Sequence, residues 1–129
     1  MTREVYIVAA KRSALTKAKK GSFAATRPDD LLAQLMQKIV ASSGVVPEDI
    51  GDVVIGCAFP EAEQGLNVAR VAAQLAGLPD SVPGMTINRY CSSGLNAIAI
   101  AANRIQAGEI DVAIAGGVES MSLIPDRKS

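Results

Sequence analysis

The chain has 129 residues, enough for one modest domain, and 49% of them are hydrophobic, which is too many for a disordered chain. Aromatic residues make up only 3% and Trp is absent, so the core must be built from Ala, Val, Ile and Leu, which suits close helix–sheet packing. The 13 basic and 13 acidic residues cancel, so total charge gives no reason to expect nucleic acid or a membrane surface as partner.

In chain order, "VYIVAA" (5–10) is a continuous apolar run rich in β-branched residues. Such a run predicts a strand buried on both faces, the mark of a parallel sheet. A polar loop follows, in which Lys11, Arg12, Lys17, Lys19, Lys20 and Arg27 occur without one acidic residue. This run fits a solvated loop, or a surface facing a phosphate-rich ligand or an acidic partner. Next comes "RPDDLLAQLMQKIVASSG". Thr26 is placed to cap a helix, Pro28 falls in its first turn, and Asp29 and Asp30 face the positive end of its dipole. Leu31, Leu35 and Ile39, with Leu32, Met36 and Val40, form one apolar stripe, so the helix should cover a sheet from the solvent side. Gly44 should end it.

"DVVIGCAF" (52–59) predicts the second strand, with Cys57 as a small buried hydrophobe. "LNVARVAAQLAG" (66–77) predicts the second helix, its polar residues confined to a narrow stripe of Asn67, Arg70 and Gln74. Pro79 and the Pro83–Gly84 pair mark turns, and "MTIN" (85–88) a short third strand. The third helix, about 92–107, is apolar all round through "AIAIAA" (97–102) and must be buried all round. One sheet covers one side of it, so its other side calls for something this chain does not obviously supply. Gly108 should close that helix, and "VAIAGG" (112–117) predicts the fourth strand. The order βαβαβαβ implies an α/β fold with a mostly parallel sheet, flanking helices and right-handed crossovers.

Two cysteines far apart in a chain without a secretory signal do not suggest a disulfide framework, and a reducing cytoplasm is the simplest expectation. No apolar run approaches the length that spans a bilayer. Cys91 lies in "NRYCSSGLNAI" (88–98), after a strand and at the start of the third helix. Ligands collect at the carboxyl ends of strands in such folds. Free N–H groups and the positive dipole end favour a thiolate there, and the same groups can steady an oxyanion on a carbonyl that the sulfur attacks. Position alone leaves a reactive and a structural cysteine evenly matched.

"NRYCSSGL" resembles the nucleophile signature of the thiolase family, and "GGVESMS" the strand and turn that follow it there. "VYIVAAKRSA", "RPDDLLAQL" and "GLNVARVAAQLAGLP" match earlier segments of the family in order, so the resemblance runs through essentially the whole chain. It implies an acyltransferase in which Cys91 accepts an acyl group from an acyl-CoA as a thioester, then passes it to coenzyme A. Coenzyme A would be a substrate, with no permanently bound cofactor. No metal site or nucleic-acid partner is expected. Thiolases also use a histidine, a second cysteine and an enolate-binding site, all in their C-terminal half. This chain has no histidine, and Cys57 matches none of those motifs. The resemblance therefore implies that residues 1–129 form the N-terminal domain, one half of an α-β-α-β-α layered fold, inactive without its C-terminal half, and in the family's habit part of a homo-oligomer. The apolar third helix is what the middle layer of such a fold requires. "PEAEQGLNVAR" leans towards degradative 3-ketoacyl-CoA thiolases. The competing expectations are a ketoacyl synthase-like or hydroxymethylglutaryl-CoA synthase-like condensing enzyme on the same fold, and a non-catalytic assembly module.

Overall fold

The computed structural model describes residues 3–125; Met1, Thr2 and the last four residues of the expected 1–129 domain lie outside them. Helix α1 (Pro28–Ser43) is followed by strand β1 (Asp52–Gly56), helix α2 (Val68–Leu75), strand β2 (Gly84–Ile87), helix α3 (Ser93–Gln106) and strand β3 (Ala113–Gly117). Among the described residues the strands form one parallel sheet in the order β2-β1-β3. Val53 pairs with Gly84 on one side and Ile114 on the other, and Gly56 with Ile87 and Gly117.

The apolar run of β1 works on both faces of the sheet. Val53 and Ile55 pack with Leu32 and Met36 of α1 and with Val68, Ala69 and Ala72 of α2. Val54 points the other way, onto Ala97 and Ala101 of α3. Full burial of each of these Val, Leu, Ile and Met side chains contributes roughly 1.5–3 kcal/mol. The result is three layers, helices–sheet–helix. Right-handed crossovers explain it: the chain moves from β1 to β2 in one direction and from β2 past β1 to β3 in the other, so α2 and α3 fall on opposite faces.

Two ends of α1 differ in how well their signals are realised. Gly44 ends it in the left-handed conformation, φ 75°. At the start the N-cap is Arg27, not Thr26, and it makes no side-chain cap bond. Pro28 opens the first turn, and the buried Asp29 accepts the Asp30 N–H at 3.0 Å while holding the Arg27 guanidinium at 2.9 Å. Helix α2 is capped by Asn67, whose Oδ1 accepts the Arg70 N–H at 3.3 Å. It is less enclosed than its narrow polar stripe suggests, since Val71 and Leu75 are exposed. Asp52, buried at the start of β1, pairs with Arg104 near the end of α3, and Arg104 also holds Glu109 at 2.8 Å.

The strand expected over 5–10 is not formed. Tyr6, Ile7 and Val8 are 72%, 79% and 72% exposed. The segment is anchored at both ends: Arg3 donates to the Ile105 and Ile110 carbonyls and to Asp111 before β3, and the Lys19 N–H donates to Ser122 Oγ after it. Strand preference becomes a strand only when a neighbour supplies a hydrogen-bond ladder and covers the pleat. Among the described residues this run has neither. On α3 the all-round apolar pattern is likewise half-met: Ala97 and Ala101 are buried, whereas Leu95 is 74% and Ile98 43% exposed. Among the described residues no helix is long and apolar enough to cross a membrane.

Gly56 is where α3 meets the sheet. A Cβ there would fall 2.5 Å from the Gly94 nitrogen and collide with the Ser93 backbone. Gly56→Ala is therefore expected to lower stability by at least about 2 kcal/mol by overpacking, read as a shift of the urea midpoint. A wild-type midpoint would show that α3 does not rest on β1 this closely.

Candidate active site

The carboxyl ends of β1 and β3, at Gly56 and Gly117, line a common crevice, which the turn beyond β2 joins through Tyr90 and Cys91. Beyond β2, Asn88 to Ser92 make a tight turn into α3, the last three residues as a single turn of 3-10 helix (Tyr90–Ser92). Tyr90 sits at φ 52°, a left-handed conformation that costs a bulky residue roughly 1–3 kcal/mol. Local hydrogen bonds hold it there. Asn88 Oδ1 accepts the Tyr90 N–H at 2.8 Å, and the buried Ser93 hydroxyl donates to the Tyr90 carbonyl at 2.6 Å while accepting the Arg89 N–H at 2.8 Å. Cys91 lies on this turn and is exposed. Ser92, the N-cap of α3, makes no side-chain cap bond. The turn thus places a thiol at the positive end of a 14-residue helix.

Cys91 borders a cleft of about 730 Å³, with Lys11, Arg12 and Leu15 on one wall and Glu119 and Met121 on another. The basic run is thereby divided. Lys11 and Arg12 face this space, Arg27 is paired with Asp29, and Lys17, Lys19 and Lys20 are exposed outside the cleft lining.

The residues that brace the cleft carried no signal of their own in the sequence. Glu119, two positions past β3, accepts the Ala58 N–H at 2.8 Å with Oε2 and the Phe59 N–H at 3.0 Å with Oε1. Its Oε1 also accepts Gln64 Nε2 at 3.2 Å. Gln64 is 1% exposed and fully used: Nε2 donates to the Phe59 carbonyl at 2.8 Å and Oε1 accepts the Ser120 N–H at 2.8 Å. A glutamine in a polar loop looks solvated until the fold buries it. Only its embedding in "PEAEQGLNVAR", beside the glutamate of "GGVESMS", could have marked the pair.

The two cysteines occupy opposite environments. Cys57, 1% exposed at the end of the β1 run, belongs to the core. Burial, and next the neighbouring Glu119 carboxylate, push its thiol up to about 12. Iodoacetamide near neutral pH should therefore label Cys91 at least about a hundredfold faster than Cys57, since the thiolate is the reacting species; peptide mapping showing Cys57 labelled first would contradict this. The Cys57 thiol also carries a pH signature. The folded state keeps its proton from the ordinary value of 9.0 up to about 12, whereas the unfolded chain has lost it, so this group's contribution to stability is complete below pH 9 and disappears as pH rises through that window. Replacing Cys57 with Ala should flatten the fall of the denaturation midpoint over this alkaline range.

A family signature described as thiolase, N-terminal domain, matches residues 5–129. The 3-ketoacyl-CoA thiolase of Bacillus subtilis (strain 168) is 54% identical over 123 residues, covering 95% of this chain and 32% of that protein. The β-ketoadipyl-CoA thiolase of Pseudomonas knackmussii is 48% identical over 126 residues, covering 97% of this chain and 31% of its own length. In structure, the Bacillus anthracis acetyl-CoA acetyltransferase superposes with a TM-score of 0.79 at 41% identity, covering 84% of this chain and 27% of that one. The chain thus spans about a third of the length of the curated relatives it matches. The parallel sheet with helices on both faces, the exposed cysteine at the start of α3 and these matches converge: the chain belongs to the thiolase family.

Proposed function

We propose that Cys91 is the acyl-accepting nucleophile of a thiolase, of which this chain is the N-terminal domain. The observation that carries it is the contrast between the two thiols: Cys57 is sealed in the core, and Cys91 stands exposed at a helix start in the cleft. The chemistry follows from that position. The Cys91 thiolate attacks the carbonyl carbon of an acyl-CoA, and the electron pair of the C=O moves onto oxygen. N–H groups at the start of α3 stabilise this oxyanion. The intermediate collapses, the bond from carbon to the CoA sulfur breaks, and CoA leaves as a thiolate, with the acyl group now on Cys91. In the degradative direction the attacked carbonyl is the 3-keto group, and the bond that breaks is the one between the α and β carbons. The enolate of acetyl-CoA leaves and must gain a proton, and a second CoA thiol then takes the acyl group from Cys91. Splitting one hard step into two easier ones is the gain of covalent catalysis.

Proton delivery to the enolate and activation of the thiols call for acid–base groups. With no histidine in the sequence, these come from the remaining part of a longer enzyme. The names of the relatives support 3-ketoacyl-CoA substrates and coenzyme A as acyl acceptor. "PEAEQGLNVAR" supports the degradative direction. Homo-oligomeric assembly and a cytoplasmic location complete the proposal.

In the full-length enzyme, incubation with acetyl-CoA should leave one acetyl group, mapped to Cys91 and absent from the Cys91→Ala variant. The 129-residue chain alone should show no steady-state thiolysis. In the full-length enzyme Cys91→Ala should cost at least about a thousandfold in kcat. Robust turnover by the isolated chain would refute the need for a second half. Acylation from acyl-carrier-protein thioesters but not from CoA thioesters would reassign the site to a condensing enzyme.

A further inference from the structure

One carboxylate links the elements that leave the three strands. Glu119, beyond β3, takes the Ala58 and Phe59 N–H groups beyond β1. The Ala58 peptide passes the linkage on, because its carbonyl accepts Asn88 Nδ2 at 3.1 Å beyond β2. Asn88 Oδ1 in turn accepts the N–H of Tyr90, the residue bonded to Cys91. Gln64 closes the far side by joining the Phe59 carbonyl to the Ser120 N–H around the same carboxylate. A path of hydrogen bonds, each at an ordinary length, therefore runs from Glu119 to the turn that carries the thiol. Its first links are charge-assisted, the stronger class of hydrogen bond.

We propose that Glu119 is a positioning residue for Cys91, holding the left-handed Tyr90 turn at the start of α3 through Ala58 and Asn88. The proposal rests on Cys91 being the acyl-accepting nucleophile. Glu119 itself takes no part in bond making. An anion is needed because three N–H groups converge on the side-chain end. In Glu119→Gln the new amide has one acceptor atom, and its NH2 group meets an N–H donor at Ala58 or Phe59. That strand-end peptide then loses its anchor, Asn88 loses a fixed partner, and the Tyr90 turn keeps the Ser93 hydroxyl as its remaining firm support, which loosens it at the helix start.

The test is a double-variant cycle on the 129-residue chain, comparing Glu119→Gln, Asn88→Ala and both together. Two readouts are followed: the rate of Cys91 carbamidomethylation at pH 7.5, and amide hydrogen exchange at Ala58, Tyr90 and, as an internal control for the fold, Leu32 and Met36. Each single variant should slow Cys91 alkylation about three- to tenfold and speed Tyr90 exchange, and the double variant should be no worse than the worse single one, the non-additivity expected of links in one path. If Glu119→Gln speeds exchange at Ala58 but leaves Tyr90 exchange and Cys91 alkylation at wild-type values, or if the two effects simply add, the proposal fails and Glu119 only pins the 58–64 loop. Should the glutamine variant not fold, Glu119→Asp replaces it, keeping the charge but one methylene short, and the same coupling to Asn88 is required. Failure of the underlying nucleophile reading looks different: Cys91 of the full-length wild-type enzyme then takes iodoacetamide but no acetyl group from acetyl-CoA.

Discussion

The structure turns on the contact between Gly56 and the Ser93–Gly94 backbone. It occurs at the end of β1, which among the described residues is the one strand paired on both sides, so it joins the centre of the sheet to the first turn of α3. Gly117 of the next strand lies beside the same spot, with Gly94 Cα only 3.4 Å from where its Cβ would be. Three glycines thus let a helix end descend onto two strand ends. The helix N-terminus and its cysteine are brought to the carboxyl edge of the sheet as a consequence of packing, before any question of chemistry arises. Small side chains at these positions are what an apolar core poor in aromatics makes available.

The same economy explains what the sequence made legible. Periodicity in α1, the β-branched run in β1 and the turn signal at Pro79 each encode a local choice that the fold then keeps, whereas Gly84, expected in a turn, opens β2. The place of Cys91 at the start of α3 was legible from the strand-like run before it and the helical run after it. Cys57 was legible as core from its apolar neighbourhood. In α3 the pattern was correct while its burial was not attained: the sequence demands cover on two sides, and the sheet supplies one.

Two features escaped. The 5–10 run has the composition of a buried strand, but pairing is a property of the neighbour as much as of the run, and composition is silent about neighbours. Glu119 and Gln64 escaped for a different reason. Their importance lies in contacts 56 to 61 positions apart in sequence, Glu119 to Ala58 and Phe59 and Gln64 to Ser120, which no window of periodicity spans. Polar residues in loops look interchangeable until a fold closes a network around them, and a network that brings an anion to converging N–H groups is costly to leave half-made. Thr26 is a smaller case: Pro28 takes the first helical position, so the N-cap falls on Arg27 and not on Thr26.

The unpaired 5–10 segment has a consequence outside the molecule. It lies tethered between residues flanking β3, and among the described residues β3 has a partner only on its β1 side. An uncharged, proline-free run of Val, Tyr, Ile and Ala beside an open strand edge is a self-complementary template. Two chains can satisfy each other's edges where one chain leaves its own unsatisfied. Loss of the chain from solution is therefore expected to rise with its concentration, and charged residues in place of the exposed Tyr6, Ile7 and Val8 to reduce it.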